Sequence, residues 1–169
     1  MSARDIGLGV AAAALVLDQG SKMALLYGLG FAHMAPGAAL PVLPFFNLVM
    51  VWNRGFSYGL FPASGPEGTA ILATFQLCAV VLLSWWLWLV RTRPLAVGLG
   101  LVIGGALGNL IDRLVYGQVA DFFHFYGFGY DWYVFNVADA AITLGVIGLL
   151  YDALLKPETP NDAGSAGRE

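Results

Sequence analysis

The sequence predicts an all-α polytopic membrane protein: four transmembrane helices that carry a small extracytoplasmic β element. Three observations lead there. The 169 residues are 59% hydrophobic and only 11% charged, against about 25% charged in an average soluble domain, and the mean hydropathy is +0.73. The apolar residues gather into four long runs, about residues 6–27, 68–90, 95–113 and 133–155. Between the first two runs, in a β-prone region of about residues 41–61, the stretch Phe46-Asn47-Leu48-Val49-Met50-Val51-Trp52 is rich in strand formers and bounded by prolines and Gly55. Residues 1–156 read as one integral membrane domain, and 157–169, rich in Pro, Gly, Ser and charge, as a disordered cytoplasmic tail.

The first run is interrupted by Asp18 and Lys22. Four apart, acid first, they share a helix face and can pair. Arg4 before a short apolar stretch resembles a leader peptide, but no clean small-x-small site follows, so a retained helix is expected. The second run, at about 1.5 Å per residue, is long enough for a hydrocarbon core of about 30 Å. Its end carries Trp85, Trp86 and Trp88 just before Arg91, as an interfacial aromatic belt would. The third run is short unless 111–116 extend it. Its stripe Gly100, Gly104 and Gly108, with Gly105 beside it, lets another helix approach closely. Asn109, Asp112 and Arg113 follow at i, i+3 and i+4, where Asp112 or Asn109 can steady Arg113. Residues 117–128 are aromatic, glycine-punctuated and too short to span, and are expected to lie at the outer interface with Trp52, Tyr130, Trp132 and Tyr133. The fourth run opens with Asn136 and Asp139, three apart.

Basic residues orient the chain. Arg4, Arg91, Arg93 and Lys156 fall on one side, which the positive-inside rule makes cytoplasmic, with both termini inside. The net charge of −3 and the lack of a basic tract argue against nucleic-acid binding. Cys78 stands alone within an apolar run, so no intrachain disulfide can form.

The chemistry is concentrated in Asp121 and Asp139. A carboxylate beside hydrocarbon costs about 2.5–3.5 kcal/mol at a helix centre, so acids kept there are usually in use. Two that meet can share a proton, as activation of water for peptide hydrolysis requires. Competing chemistries are weaker. Gly55-Phe56-Ser57-Tyr58-Gly59 matches G-x-S-x-G, but that elbow needs a soluble parallel sheet. His33 and His124 are the only histidines and no H-E-x-x-H exists, so neither a metal nor another cofactor is expected. A small proton-coupled transporter using Asp121 or Asp139 is the alternative, since intramembrane acids also mark proton relays.

In order, Asp18-Gln19-Gly20-Ser21-Lys22, Asn53-Arg54-Gly55-Phe56-Ser57-Tyr58-Gly59, residues 104–113, Val119-Ala120-Asp121-Phe122 and Phe135-Asn136-Val137-Ala138-Asp139 resemble the bacterial lipoprotein signal peptidase (type II signal peptidase) family. The second motif departs from the family pattern at Arg54, Phe56 and Ser57. The resemblance spans about residues 6–155 and implies an inner-membrane aspartyl endopeptidase that cuts prolipoproteins before a diacylglyceryl-cysteine. It implies Asp121 and Asp139 as the catalytic pair. Asn53, Asn109, Arg113 and Asn136 would bind substrate, and Asp18, Lys22, Gly105 and Asp112 would support the site. The expected partners are diacylglyceryl-modified prolipoproteins and membrane lipids, with the protein a monomer.

Overall fold

A computed structural model describes residues 1–35, 38–55 and 65–155. Ser57, Lys156 and the tail expected to be disordered lie outside the described residues. Four helices, α1 (Ala3–Met23), α2 (Gly65–Leu89), α3 (Arg93–Tyr116) and α4 (Val137–Leu155), are long and apolar enough to cross a membrane. Four short strands, β1 (Ala39–Leu43), β2 (Phe46–Asn53), β3 (Val119–Gly127) and β4 (Tyr130–Asp131), form one antiparallel sheet in the order β1-β2-β3-β4.

Local chemistry sets the helix ends. Ser2 caps α1 by accepting from the Asp5 N–H, and the Asp5 carboxylate accepts from the Ser2 N–H in return. The last turn of α1 widens into a π-turn at Ala24–Gly28. Helix α3 runs through to Tyr116, past the expected end at 113, and stops at Gly117, whose φ of +72° suits a residue without Cβ. Helix α4 begins at Val137, four residues later than its apolar run. Asn136 ends the preceding chain: its Oδ1 accepts from the Asp139 N–H at 2.9 Å, while Asp139 Oδ2 accepts from the Asn136 N–H at 3.2 Å. Just before it, Phe135 pairs with Phe123 in an isolated bridge to β3.

α3 is the central helix, packed on α1, α4 and, less extensively, α2. The glycine stripe explains the close approach. A Cβ on Gly100 or Gly104 would collide with the carbonyl oxygens of Gly7 and Ala11 on α1. On the other face, a Cβ on Gly105 would stand 2.5 Å from the Ala138 carbonyl oxygen of α4. Small residues therefore replace side-chain interdigitation with backbone contact. Trp85, Trp86 and Trp88 are exposed near the end of α2, and the Arg4 guanidinium lies 4.3 Å over the Trp88 ring.

The segment 117–128, expected as an interfacial stretch, is mostly strand. β3 pairs with β2 through Val51 opposite Asp121 and Trp52 opposite Ala120. Its first four residues, Val119 to Phe122, are all buried, so the alternation that signals a strand in sequence is absent. Phe122, Ala120, Met50, Leu26 and Phe31 form the core beneath the sheet, on the π-turn of α1.

Candidate active site

At the junction of sheet and bundle, six polar residues are buried: Asp18, Lys22, Asn109, Asp112, Asp121 and Asn136. Their connections start from Lys22. Its Nζ donates to Asp18 Oδ2 and Asp112 Oδ2, both at 2.8 Å, and to Asn109 Oδ1 at 3.2 Å. Each partner carboxylate also accepts from a backbone N–H. Asp18 Oδ1 accepts from the Ala138 N–H at 2.9 Å, and Asp112 Oδ2 accepts from the Ala120 N–H at 3.1 Å. Ala138 precedes Asp139 and Ala120 precedes Asp121. One ammonium thus braces both segments that carry the aspartates. Gln19 completes the ring by donating to Asp18 Oδ2, Asp112 Oδ1 and the Gly108 carbonyl, each at 3.1 Å. Buried charges demand this full pairing, because an unpaired one costs several kcal/mol.

The expected i,i+4 pair of Asp18 and Lys22 is present. Of the expectation that Asp112 or Asn109 steadies Arg113, the Asp112 half is corrected: Asp112 faces Lys22, while Arg113 turns the other way and keeps a bond to the Asn109 carbonyl. Its Nη1 donates to Gln76 Oε1 at 2.9 Å and to the Asn109 carbonyl at 3.4 Å, and its Nη2 donates to the Gly55 carbonyl at 3.1 Å. Residues i+3 and i+4 from Asn109 flank one helix face, and at that crowded junction neighbours from α1 and α2 draw them apart.

Three asparagines surround the two aspartates, and a donor on the far side of each fixes its amide. Asn53 Oδ1 accepts from the Gly55 N–H at 2.9 Å, so its Nδ2 donates to Asp121 Oδ2 at 3.0 Å. Asn136 Oδ1 is held by the Asp139 N–H, so its Nδ2 donates to Asp121 Oδ1 at 2.6 Å. Asn109 Oδ1 is held by Lys22, so its Nδ2 donates to Asp139 Oδ1 at 2.9 Å. Backbone N–H and ammonium groups can only donate, so no amide can turn round without losing a bond. Burial first, and then the negative charge of Asp139, push the Asp121 carboxyl up to about 7, against the pull of Asn53 and Asn136.

A cavity of about 400 Å³ opens beside the pair, between α2, α3 and α4. Its head is polar, with Asn53, Asn109, Arg113, Gln76 and Asp139. Its depth is apolar, with Ala79, Leu83, Val102 and Ile142. α2 packs mainly on α3, which leaves the side toward α4 open. Asn136 does not line the cavity; it is fully buried and pins Asp121 to Asp139. Gly105 lies behind the site, where it lets α4 bring Asp139 against Asn109. His124 stacks on Tyr126 with its Nε2 3.6 Å from Asp131 Oδ1, three strand residues from Asp121 and so on the opposite face.

A family model described as signal peptidase (SPase) II matches residues 10–155. The chain belongs to the signal peptidase II family. The peptidase is 47% identical to the lipoprotein signal peptidase of Rhodopseudomonas palustris, over 89% of this chain and 92% of that relative. It is 49% identical to that of Nitrobacter hamburgensis, again over 89% and 92%. Among solved structures, one of a bacterial membrane enzyme superposes with a TM-score of 0.75 at 28% identity, covering 89% of this chain and 94% of that one. The peptidase is thus a bacterial membrane protein with a known helical plan. The transporter alternative finds no support. Its acid should lie at mid-membrane, whereas Asp139 sits in the first turn of α4 and Asp121 on a strand outside the spans.

Sequence reading gave no role to Gln19 or Gln76 and put Tyr133 at the interface, whereas Gln76 and Tyr133 both line the cavity. Gln76 carried a signal: it is a carboxamide inside an apolar run, and polar groups there are costly unless used.

Proposed function

We propose that this peptidase is an intramembrane aspartyl endopeptidase. It removes the signal peptide from lipid-modified prolipoproteins, cutting before the diacylglyceryl-cysteine. The observation that carries this reading is the pair of carboxylates, each held by locked asparagine amides, with Asp139 at the polar head of an apolar groove open between α2 and α4 and Asp121 buried just behind it. Such a groove suits a membrane-embedded peptide entering sideways. The names of the relatives supply the substrate class.

In the resting enzyme the pair shares one proton, and in the reaction Asp121, whose carboxyl is pushed up to about 7, acts as the acid and Asp139 as the base. Asp139 takes a proton from water, whose oxygen attacks the scissile carbonyl carbon, while Asp121 donates its proton to the carbonyl oxygen. The tetrahedral intermediate collapses as its C–N bond breaks and Asp139 returns its proton to the departing amine. Asp121 recovers its own proton from the hydroxyl as the carbonyl reforms. Asn53, Asn109 and Arg113 line the groove that receives the peptide, and Asn136 acts by positioning the pair. Asp18, Lys22, Asp112 and Gly105 hold the frame. Positive-inside reasoning puts both termini in the cytoplasm and the site near the outer leaflet of the inner membrane. The chain acts as a monomer, without metal or cofactor.

The test is incubation of purified protein with a diacylglyceryl-modified prolipoprotein, read by gel shift. Asp121→Asn and Asp139→Asn should each abolish cleavage while melting close to the parent, and EDTA should leave the parent active. Substantial turnover by either variant would sink the dyad.

A further inference from the structure

Gln76 stands on α2, seven residues past Thr69, whose Oγ1 donates to the Gly117 carbonyl at the sheet end of the bundle. Along a helix that distance is about 10 Å, which sets Gln76 at the inner edge of the cavity's polar head, with Ala79 and Leu83 beyond it. It is half-buried and lines the cavity. A guanidinium can only donate, so the 2.9 Å bond from Arg113 Nη1 requires Gln76 to present its Oε1. The amide nitrogen is thereby turned away from Arg113. Among the described residues it meets no acceptor. A carboxamide N–H2 held in that orientation beside Leu72, Phe75 and Ala79 is a donor awaiting a partner.

The substrate chemistry supplies one. A signal-peptide helix leaves its last four carbonyls without intrahelical partners, and a peptide must be unwound where it is cut. In a groove with little water, each such carbonyl left bare keeps an uncompensated desolvation cost. We infer that Gln76 is a substrate-binding residue whose Nε2 donates to a backbone carbonyl of the signal peptide on the amino-terminal side of the scissile bond, with Arg113 acting as the clamp that aims it. This rests on the proposed peptidase reading, because the acceptor belongs to that substrate.

The probe is a diacylglyceryl-modified lipopeptide that carries the signal-peptide residues, with cleavage kinetics and melting temperature measured on the same preparations. Gln76→Leu and Gln76→Glu are compared. Leu removes both ends of the amide. Glu keeps an acceptor for Arg113 and removes only the donor. Both should raise KM by about two- to ten-fold, the range one neutral hydrogen bond supplies, with kcat within about two-fold. A second readout replaces single amides of the lipopeptide by esters, which weakens the carbonyl as an acceptor. At the position that meets Gln76, the ester should raise KM for the parent and leave Gln76→Leu unchanged. A parent-like KM in Gln76→Glu, or a loss confined to kcat, would show that Gln76 only props Arg113 and overturn the inference. Should Gln76→Leu melt far below the parent, the comparison of Gln76→Glu with the parent decides alone. Binding of the lipopeptide to Asp139→Asn separates the two levels. If the parent neither cleaves nor Asp139→Asn binds it, the peptidase reading falls and this inference with it. Cleavage with an unchanged KM in both Gln76 variants sinks this inference alone.

Discussion

Asp121 and Lys22 show how much of this site depends on single groups. The Asp121 carboxyl titrates near 7 in the folded protein against 3.8 in the free side chain. Between those values the folded protein holds a proton that the unfolded chain has released, so its contribution to stability is present below 3.8 and lost as pH rises through about 7. The melting temperature should fall across that window, and less steeply in Asp121→Asn. If Asp121 is the proton donor, kcat/KM should also decline above about pH 7; equal slopes of melting temperature in parent and variant would remove the basis for that assignment. Lys22 is the second case. Lys22→Met strands Asp18 and Asp112 in the interior and leaves Asn109 Oδ1 held only by Asn136 Nδ2, at 3.1 Å. Breaking a buried pair in this way costs about 3–5 kcal/mol, and cleavage should drop beyond what the lower melting temperature explains. A variant that melts lower yet cleaves at the parent rate would leave Lys22 a structural charge only.

Among the elements, the contact between α3 and α4 decides where Asp139 sits. Gly105 faces the Ala138 carbonyl oxygen and Ile142 Cγ1, which a new Cβ would meet at 2.5 and 2.9 Å. Gly105→Ala must push the first turn of α4 outward, drawing Asp139 from the Asn109 amide that holds it at 2.9 Å. Lower kcat together with a lower melting temperature is expected. Gly9 and Gly20 of α1 serve as controls, because nothing lies within 4 Å of a Cβ built on either. Alanine there removes glycine's conformational entropy at no steric cost, so activity should stay at the parent level and melting at or above it. Equal losses at Gly105 and Gly9 would mean that glycine content, and not the α3–α4 contact, is what matters.

At the scale of the whole molecule, the groove exists because α2 packs mainly on α3 and leaves α4 free on that side. The sheet lies at the same end of the bundle, where Asp139 opens α4 and Asp121 stands on β3. Arg4, Arg91 and Arg93 gather at the opposite end. Reporter fusions after Arg93 should read cytoplasmic, and fusions in the turn between Leu43 and Phe46 should read outside. An outside signal at Arg93 would invert the protein and carry the aspartates to the inner leaflet.

The four spans, their polar interruptions and the acid pair could be read from the sequence, because hydrocarbon imposes a length and a composition on any helix that crosses it. The pairing of Asp18 with Lys22 was equally legible, being set by one turn of helix. Tertiary structure alone decided the rest. β3 hides as a strand because Val119 to Phe122 are buried on both faces and show no alternation. Asp112 faces Lys22 and not its neighbour Arg113, a choice made by α1 across the glycine stripe. The directions of the Asn53, Asn109, Asn136 and Gln76 amides depend on donors that are, for Asn109 and Gln76, far away in the chain. A carboxamide has two opposite ends of nearly equal shape, and only the partner that packs against it determines which end meets the carboxylate.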